Sequence, residues 1–164
     1  MKNMKELLNN KYVRMGLAAL VIVGLGIGGF FYWAGHRLDK VVQGKTYQYS
    51  SVLDGTQNDK MMYVTFQNGG NQVVVTQSRE VALKAASSPE EFKKSYEEQS
   101  AEWRYAVTPT TLTLGKKEND ELSQWQYNSV FAFGDQFTSD SFTYQIAKGG
   151  QGEVRQKMVF KEVQ

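Results

Sequence analysis

Hydrophobic and polar positions divide the chain near residue 35. Met15 to Gly35 (MGLAALVIVGLGIGGFFYWAG) is one apolar run with no charge, Asn, Gln or Pro. As a helix rising about 1.5 Å per residue it spans roughly 31 Å, close to the ~30 Å hydrocarbon core of a bilayer. No water is available there to satisfy backbone polar groups, so the run is expected to cross as a single transmembrane helix. After a short stalk, residues 36–43, the pattern becomes alternation, the period of a strand.

Within residues 44–162, Tyr47 and Tyr49 alternate with polar neighbours, and Met62, Val64 and Phe66 do the same. Asn68-Gly69-Gly70-Asn71 then predicts a hairpin, because Asn and Gly tolerate positive φ. Val73 and Val75 carry the returning strand. A helical insert is expected at about 79–101. Ser88-Pro89-Glu90-Glu91 is a capping box with Pro at the first helical position, and Phe92 and Tyr96 share one face. A weaker helix, Arg79 to Ala86, precedes it.

Alternation resumes with Trp103, Tyr105 and Val107, breaks at Pro109, and continues through Leu112 and Leu114 to a polar turn at Gly115–Glu121. A longer strand places Trp125, Tyr127, Ser129, Phe131 and Phe133 on one face. Gly134-Asp135 turns the chain. Phe142, Tyr144 and Ile146 form another strand, Gly149–Gly152 another turn, and Val154, Met158 and Phe160 the last strand. About eight strands with one apolar and one polar face predict an antiparallel β-barrel or strongly curled sheet, wet on its outer side.

Charge orients this arrangement. Of 19 Lys and Arg and 17 Asp and Glu, the leader 1–14 takes Lys2, Lys5, Lys11 and Arg14 against Glu6. The positive-inside rule therefore puts the N-terminus in the cytoplasm and the β-domain on the extracytoplasmic side. Cleavage of the apolar run as a signal peptide is disfavoured, since Phe31-Tyr32-Trp33 puts bulky rings where cleavage needs small residues. The span contains Gly24 and Gly28 in GxxxG spacing, which permits close helix approach and a homodimer. From His36 onward the charge is nearly balanced, so no nucleic-acid surface is indicated.

The chain has no Cys and one His, His36, at the membrane boundary. Ser-His-Asp and Cys-His nucleophile systems cannot be assembled in the domain, and neither can thiolate or His-rich metal sites. Gly44-Lys45-Thr46 matches the end of a phosphate-binding loop, but Asp39 stands where its first Gly belongs. The interleaved Lys and Glu of residues 90–98 read as a solvated helix face rather than an acid/base pair. No cofactor or metal is expected, and the chain is read as a non-enzyme.

Leu38-x5-Gly44-Lys45-x-Tyr47, the Phe66-x-x-Gly-Gly-Asn hairpin, the Trp103 strand and the Phe-rich meander ending in Met158-Val159-Phe160-Lys161 resemble small lipocalin-like (calycin-type) domains of bacterial surface proteins. The resemblance covers most of residues 44–162 and implies ligand binding. Tyr47, Trp103, Tyr105, Trp125 and Tyr127 are the candidate ligand-lining residues. An eight-strand barrel is just wide enough for its own side chains, so the same residues also read as core packing.

The expected function is a membrane-anchored binding or interaction module of the cell envelope. Its partners would be membrane lipid through the anchor, and an envelope protein or a small apolar ligand through the domain. The alternatives are a carboxylate-based enzyme on an envelope polymer and a structural partner of a membrane complex.

Overall fold

The computed structural model describes residues 23–25, 28–33, 35–51 and 60–164. The expected leader 1–14 and much of the expected span 15–35 lie outside the described residues. Among the described residues no helix is long and apolar enough to cross a membrane. The chain divides into two units, Met1–Ala34 and Gly35–Gln164. Of the first, residues 28–33 are helical, with Phe30 ring-to-ring against Phe31 and Trp33. Gly24 and Gly28 sit in helical backbone with open space where a Cβ would be.

The second unit is mainly β. Its strands are β1 (Thr46–Ser51), β2 (Lys60–Phe66), β3 (Val73–Thr76), β4 (Glu102–Thr108), β5 (Thr111–Glu118), β6 (Glu121–Asn128), β7 (Phe131–Phe133), β8 (Gln136–Ser139), β9 (Ser141–Ile146), β10 (Gly150–Val154) and β11 (Met158–Val163). They form two antiparallel sheets, a six-stranded one ordered β3-β2-β1-β11-β8-β7 and a five-stranded one ordered β10-β9-β6-β5-β4. The expected barrel is not closed. One pair of sheet edges touches through the single bridge Gln72–Arg104, while β7 and β10 remain separate edges.

Among the described residues eleven strands replace the expected eight or so, for a local reason. The stretch expected to run straight from Trp125 to Phe133 breaks at Ser129, whose φ of 50° is a left-handed conformation no strand accommodates. Beyond it the chain enters the other sheet with its faces exchanged. Val130 and Ala132 are buried, whereas Phe131 and Phe133, expected inside, are 38% and 52% exposed. The returning strand crosses back between β8 and β9, at Asp140.

Register pairs Asn128 with Ser141 and Phe131 with Thr138, so no residue is gained or lost across the bend. Residues 121–146 are thus one long hairpin folded over itself, with Gly134 (φ 65°) at the first position of its two-residue tip. The last expected strand likewise divides into β10 and β11, with residues 155–157 carrying the chain between sheets. The polar turn expected at Gly115–Glu121 narrows to Asn119-Asp120, both at positive φ, and Gly115 lies inside β5.

Helices α2 (Arg79–Ser87) and α3 (Pro89–Glu98) confirm the helical insert. Ser78 and Ser88 cap them by accepting from the backbone N–H of Val81 and Glu91. Ala82 and Ala85 bring α2 close to the outer face of the six-stranded sheet, where the Thr65 hydroxyl donates to the Ala82 carbonyl at 3.0 Å. Val74, Ala85 and Phe92 form a small second core there. Gln99 follows α3 and serves the edge of β3. Its amide oxygen accepts from Val75 N–H and its amide nitrogen donates to the Val73 carbonyl.

Residues 36–43, read from sequence as a stalk, contain the short helix α1 (Leu38–Val41). Leu38 and Val42 have no exposed surface and belong to the main core.

Candidate functional site

The five aromatic candidates all face the space between the sheets, three buried in the main core and two at its margin. Tyr47, Tyr105 and Tyr127 are buried in the main core. Tyr47 packs on Phe66 and Phe137, Tyr105 on Phe66, and Tyr127 on Phe142 and Phe160, with ring centroids 4.8–6.0 Å apart. Phe137 and Phe160 stack at 4.4 Å and close the middle. The Tyr47 hydroxyl donates to the Val41 carbonyl and the Tyr105 hydroxyl to the Gln67 carbonyl. Burial pushes the hydroxyl pKa of Tyr47, Tyr49, Tyr105 and Tyr127 above the ordinary value of 10.0. All four pack in the core, and Tyr47 and Tyr105 do so with paired hydroxyls.

Trp103 and Trp125 differ. Both are half-buried at the margin of the core, and their indoles stack at 5.4 Å with 25° between planes. Lys116 pairs directly with Trp103 across β4 and β5 and therefore shares its inward face. Its ammonium donates to Glu118, two residues along the same face. The result is an aromatic pair beside an ion pair at one end of the sandwich.

The outer faces of the two sheets contrast. The helical insert covers the β3, β2 and β1 part of the six-stranded sheet's outer face. Among the described residues no element packs on that of the five-stranded sheet, where cross-strand rows are open. One row runs Arg104, Gly115, Gln124, Gln145, Gln151, and the next Ala106, Thr113, Gln126, Thr143, Glu153. A third aligns Thr108, Thr111, Asn128 and Ser141. Two shallow clefts lie on this face. One of about 410 Å³ includes Gln124, Thr143, Gln145, Gln151 and Glu153; one of about 270 Å³ includes Glu102, Arg104, Gly115, Lys117 and Leu122.

Sequence reading found the wet face but drew no site from it, because outward polar residues on an amphipathic strand are the default. The signal available was the run of amides and hydroxyls with few charges. A further cleft of about 250 Å³ lies between the α2–α3 corner and β2, lined by Phe66, Ala85, Pro89 and Phe92 among others. None of the three clefts described above is lined by the five aromatic candidates. Among the described residues, no three His, Asp or Glu side chains gather in a metal-binding group.

Compared with family models, curated proteins and solved structures, the chain matches none.

Proposed function

We propose that this chain is a single-pass envelope protein, anchored by residues 15–35 with its N-terminus in the cytoplasm, whose β-domain is a non-catalytic binding module. The anchor is supported by the uncharged apolar run and the four preceding basic residues. It is supported too by Val23, Leu25, Phe30 and Trp33, large apolar residues that stand exposed. The binding role rests on one observation. The interior is filled by ring-on-ring packing and helices back the β3-β2-β1 part of one sheet, while the five-stranded sheet presents an uncovered, ordered polar face. Binding through the exterior is the use of such a domain that its geometry supports best.

A second reading keeps the lipocalin-like resemblance and places a small apolar ligand at the half-buried Trp103–Trp125 pair. Stacked indoles beside the Lys116–Glu118 ion pair favour it. On either reading Gly24 and Gly28 offer a face for pairing two anchors.

The test uses the full chain with a C-terminal epitope tag. Protease added to intact cells is expected to remove the tag, and the purified chain in detergent is expected to co-sediment with an envelope fraction. A protected tag overturns the topology. A chain that remains in the supernatant overturns the binding role.

A further inference from the structure

We propose that the outer face of the five-stranded sheet binds a neutral, hydroxyl-rich glycan strand lying across β10, β9, β6, β5 and β4 and passing over Gly115. This deepens the proposed binding role and rests on it.

Gly115 is the first observation. It sits within β5, paired with Arg104 on one side and Gln124 on the other. Its φ lies outside the positive region, and a Cβ built there would meet nothing closer than the Arg104 carbonyl oxygen at 3.9 Å. The fold therefore makes no demand for glycine at a position where glycine weakens a strand. What the missing side chain does provide is a bare strip of backbone between two flanking side chains, the kind of place where a ligand approaches closely. The cleft of about 270 Å³ is centred on this gap, with the exposed Leu122 beside it as an apolar platform.

The second observation is the chemistry of the surrounding rows. Gln124, Gln145 and Gln151 follow one another across β6, β9 and β10, while in the neighbouring rows Gln126 stands between Thr113 and Thr143 and Asn128 beside Ser141. Each amide offers both donors and an acceptor, which matches a sugar hydroxyl that both gives and accepts a hydrogen bond. Gln126 donates to Asn128 at 2.9 Å, which orders part of this array in advance. Charges sit towards the margins: Glu102 and Arg104 on the edge strand β4, Lys117, 3.2 Å from Asp120, near the end of β5, and Glu153, 3.3 Å from Arg155, on the edge strand β10. A face uncharged in the middle suits a neutral polymer over an anionic one. With few apolar and no aromatic side chains in these rows, it also lacks what protein interfaces concentrate. Five strands at about 4.8 Å spacing give a track of roughly 19 Å, room for several sugar units.

The experiment titrates the full chain, in a zwitterionic detergent that contains no sugar, with a linear N-acetylglucosamine oligomer, a linear neutral glucan and a sulfated glucan, read by calorimetry. At least one neutral glycan is expected to bind and the sulfated one to bind more weakly. Gly115→Val is expected to melt at the same temperature or higher, since a β-branched residue suits a strand interior, and to bind about tenfold more weakly. Gln124→Ala with Gln145→Ala is expected to lose affinity while folding normally. No binding of either neutral glycan, preference for the sulfated glucan, or Gly115→Val binding as the parent does would each overturn the proposal. So would loss of self-association as the sole effect of Gly115→Val, which would make the face a contact between two copies. A chain that is surface-exposed and sediments with envelope yet binds neither neutral glycan refutes this inference alone. A protease-protected tag refutes the broader reading instead.

Discussion

The Ser139 hydroxyl oxygen lies 2.6 Å from the carbonyl oxygen of Asn128, at the point where the long hairpin passes from one sheet to the other. It is also 2.7 Å from the carbonyl of Ser141, and Ser139 has no exposed surface. A crossing between sheets interrupts the ladder, and this hydroxyl supplies part of what the ladder would have given. Removing it takes away the one proton that these two part-buried carbonyls share. Ser139→Ala is expected to destabilise the domain by about 1–3 kcal/mol, read as a lower urea midpoint. An unchanged midpoint would mean that the crossing is held by its packing alone.

Leu38 is expected to behave as a core residue although it precedes the first strand. Leu38→Ala should cost about 2–5 kcal/mol. A surface substitution at the adjacent Asp39, for example to Asn, should stay within about 0.5 kcal/mol. Thermal melts of the two variants separate a packed segment from a free connector.

Gln99 covers the edge of β3 with a single side chain. Gln99→Ala is expected to lose about 1 kcal/mol and to speed amide exchange at Val75 more than at Val64 in the middle of the sheet. Gln99→Glu can still accept from Val75 but no longer donates to Val73, so it should lose stability while keeping exchange at Val75 slower than the alanine variant does. Hydrogen exchange followed residue by residue reads both.

The pH dependence follows from the buried tyrosines. In the folded state Tyr47, Tyr49, Tyr105 and Tyr127 hold their protons above the ordinary value of 10.0, with burial the leading cause. For Tyr47 the charge of Glu162 adds to the effect, and for Tyr127 the neighbouring Tyr49. A raised folded-state pKa means that the unfolded chain releases these protons first. Stability is then fully present below about pH 10 and falls as pH rises beyond it. Absorbance at the phenolate band should show Tyr47, Tyr49, Tyr105 and Tyr127 ionising together as the domain unfolds. Smooth titration of all nine tyrosines in a folded protein would contradict this packing.

Much of the β-domain was legible because its signals are local. Alternation placed Tyr47, Phe66, Tyr105, Leu114, Tyr127 and Phe160 on inward faces, and each is buried. The Asn68–Asn71 hairpin and the Ser88 cap lie where their turn and capping chemistry put them. The crossing at Ser129 was not legible. Asn, Gly and Pro announce a turn, whereas a serine forced to positive φ is set by the need of the hairpin to reach both sheets. The same limit applied to Leu38 and Val42, two apolar residues in a polar stretch with no period to reveal that they fill the end of a core.

The candidate site divides along the same line. By itself the sequence determined which aromatics face inward and which polar residues face out, since side-chain period is a property of the strand alone. Only the tertiary structure decided what those faces meet. Whether Tyr127 lines a space or fills one depends on how close Phe160 comes from the opposite sheet, and for Tyr47 on how close Phe137 comes from two strands away in its own. Whether Gln124, Gln145 and Gln151 form a row depends on cross-strand register. Both are set by pairings between segments far apart in the chain, where the energy lies in packing and ladder hydrogen bonds rather than in any residue's own preference.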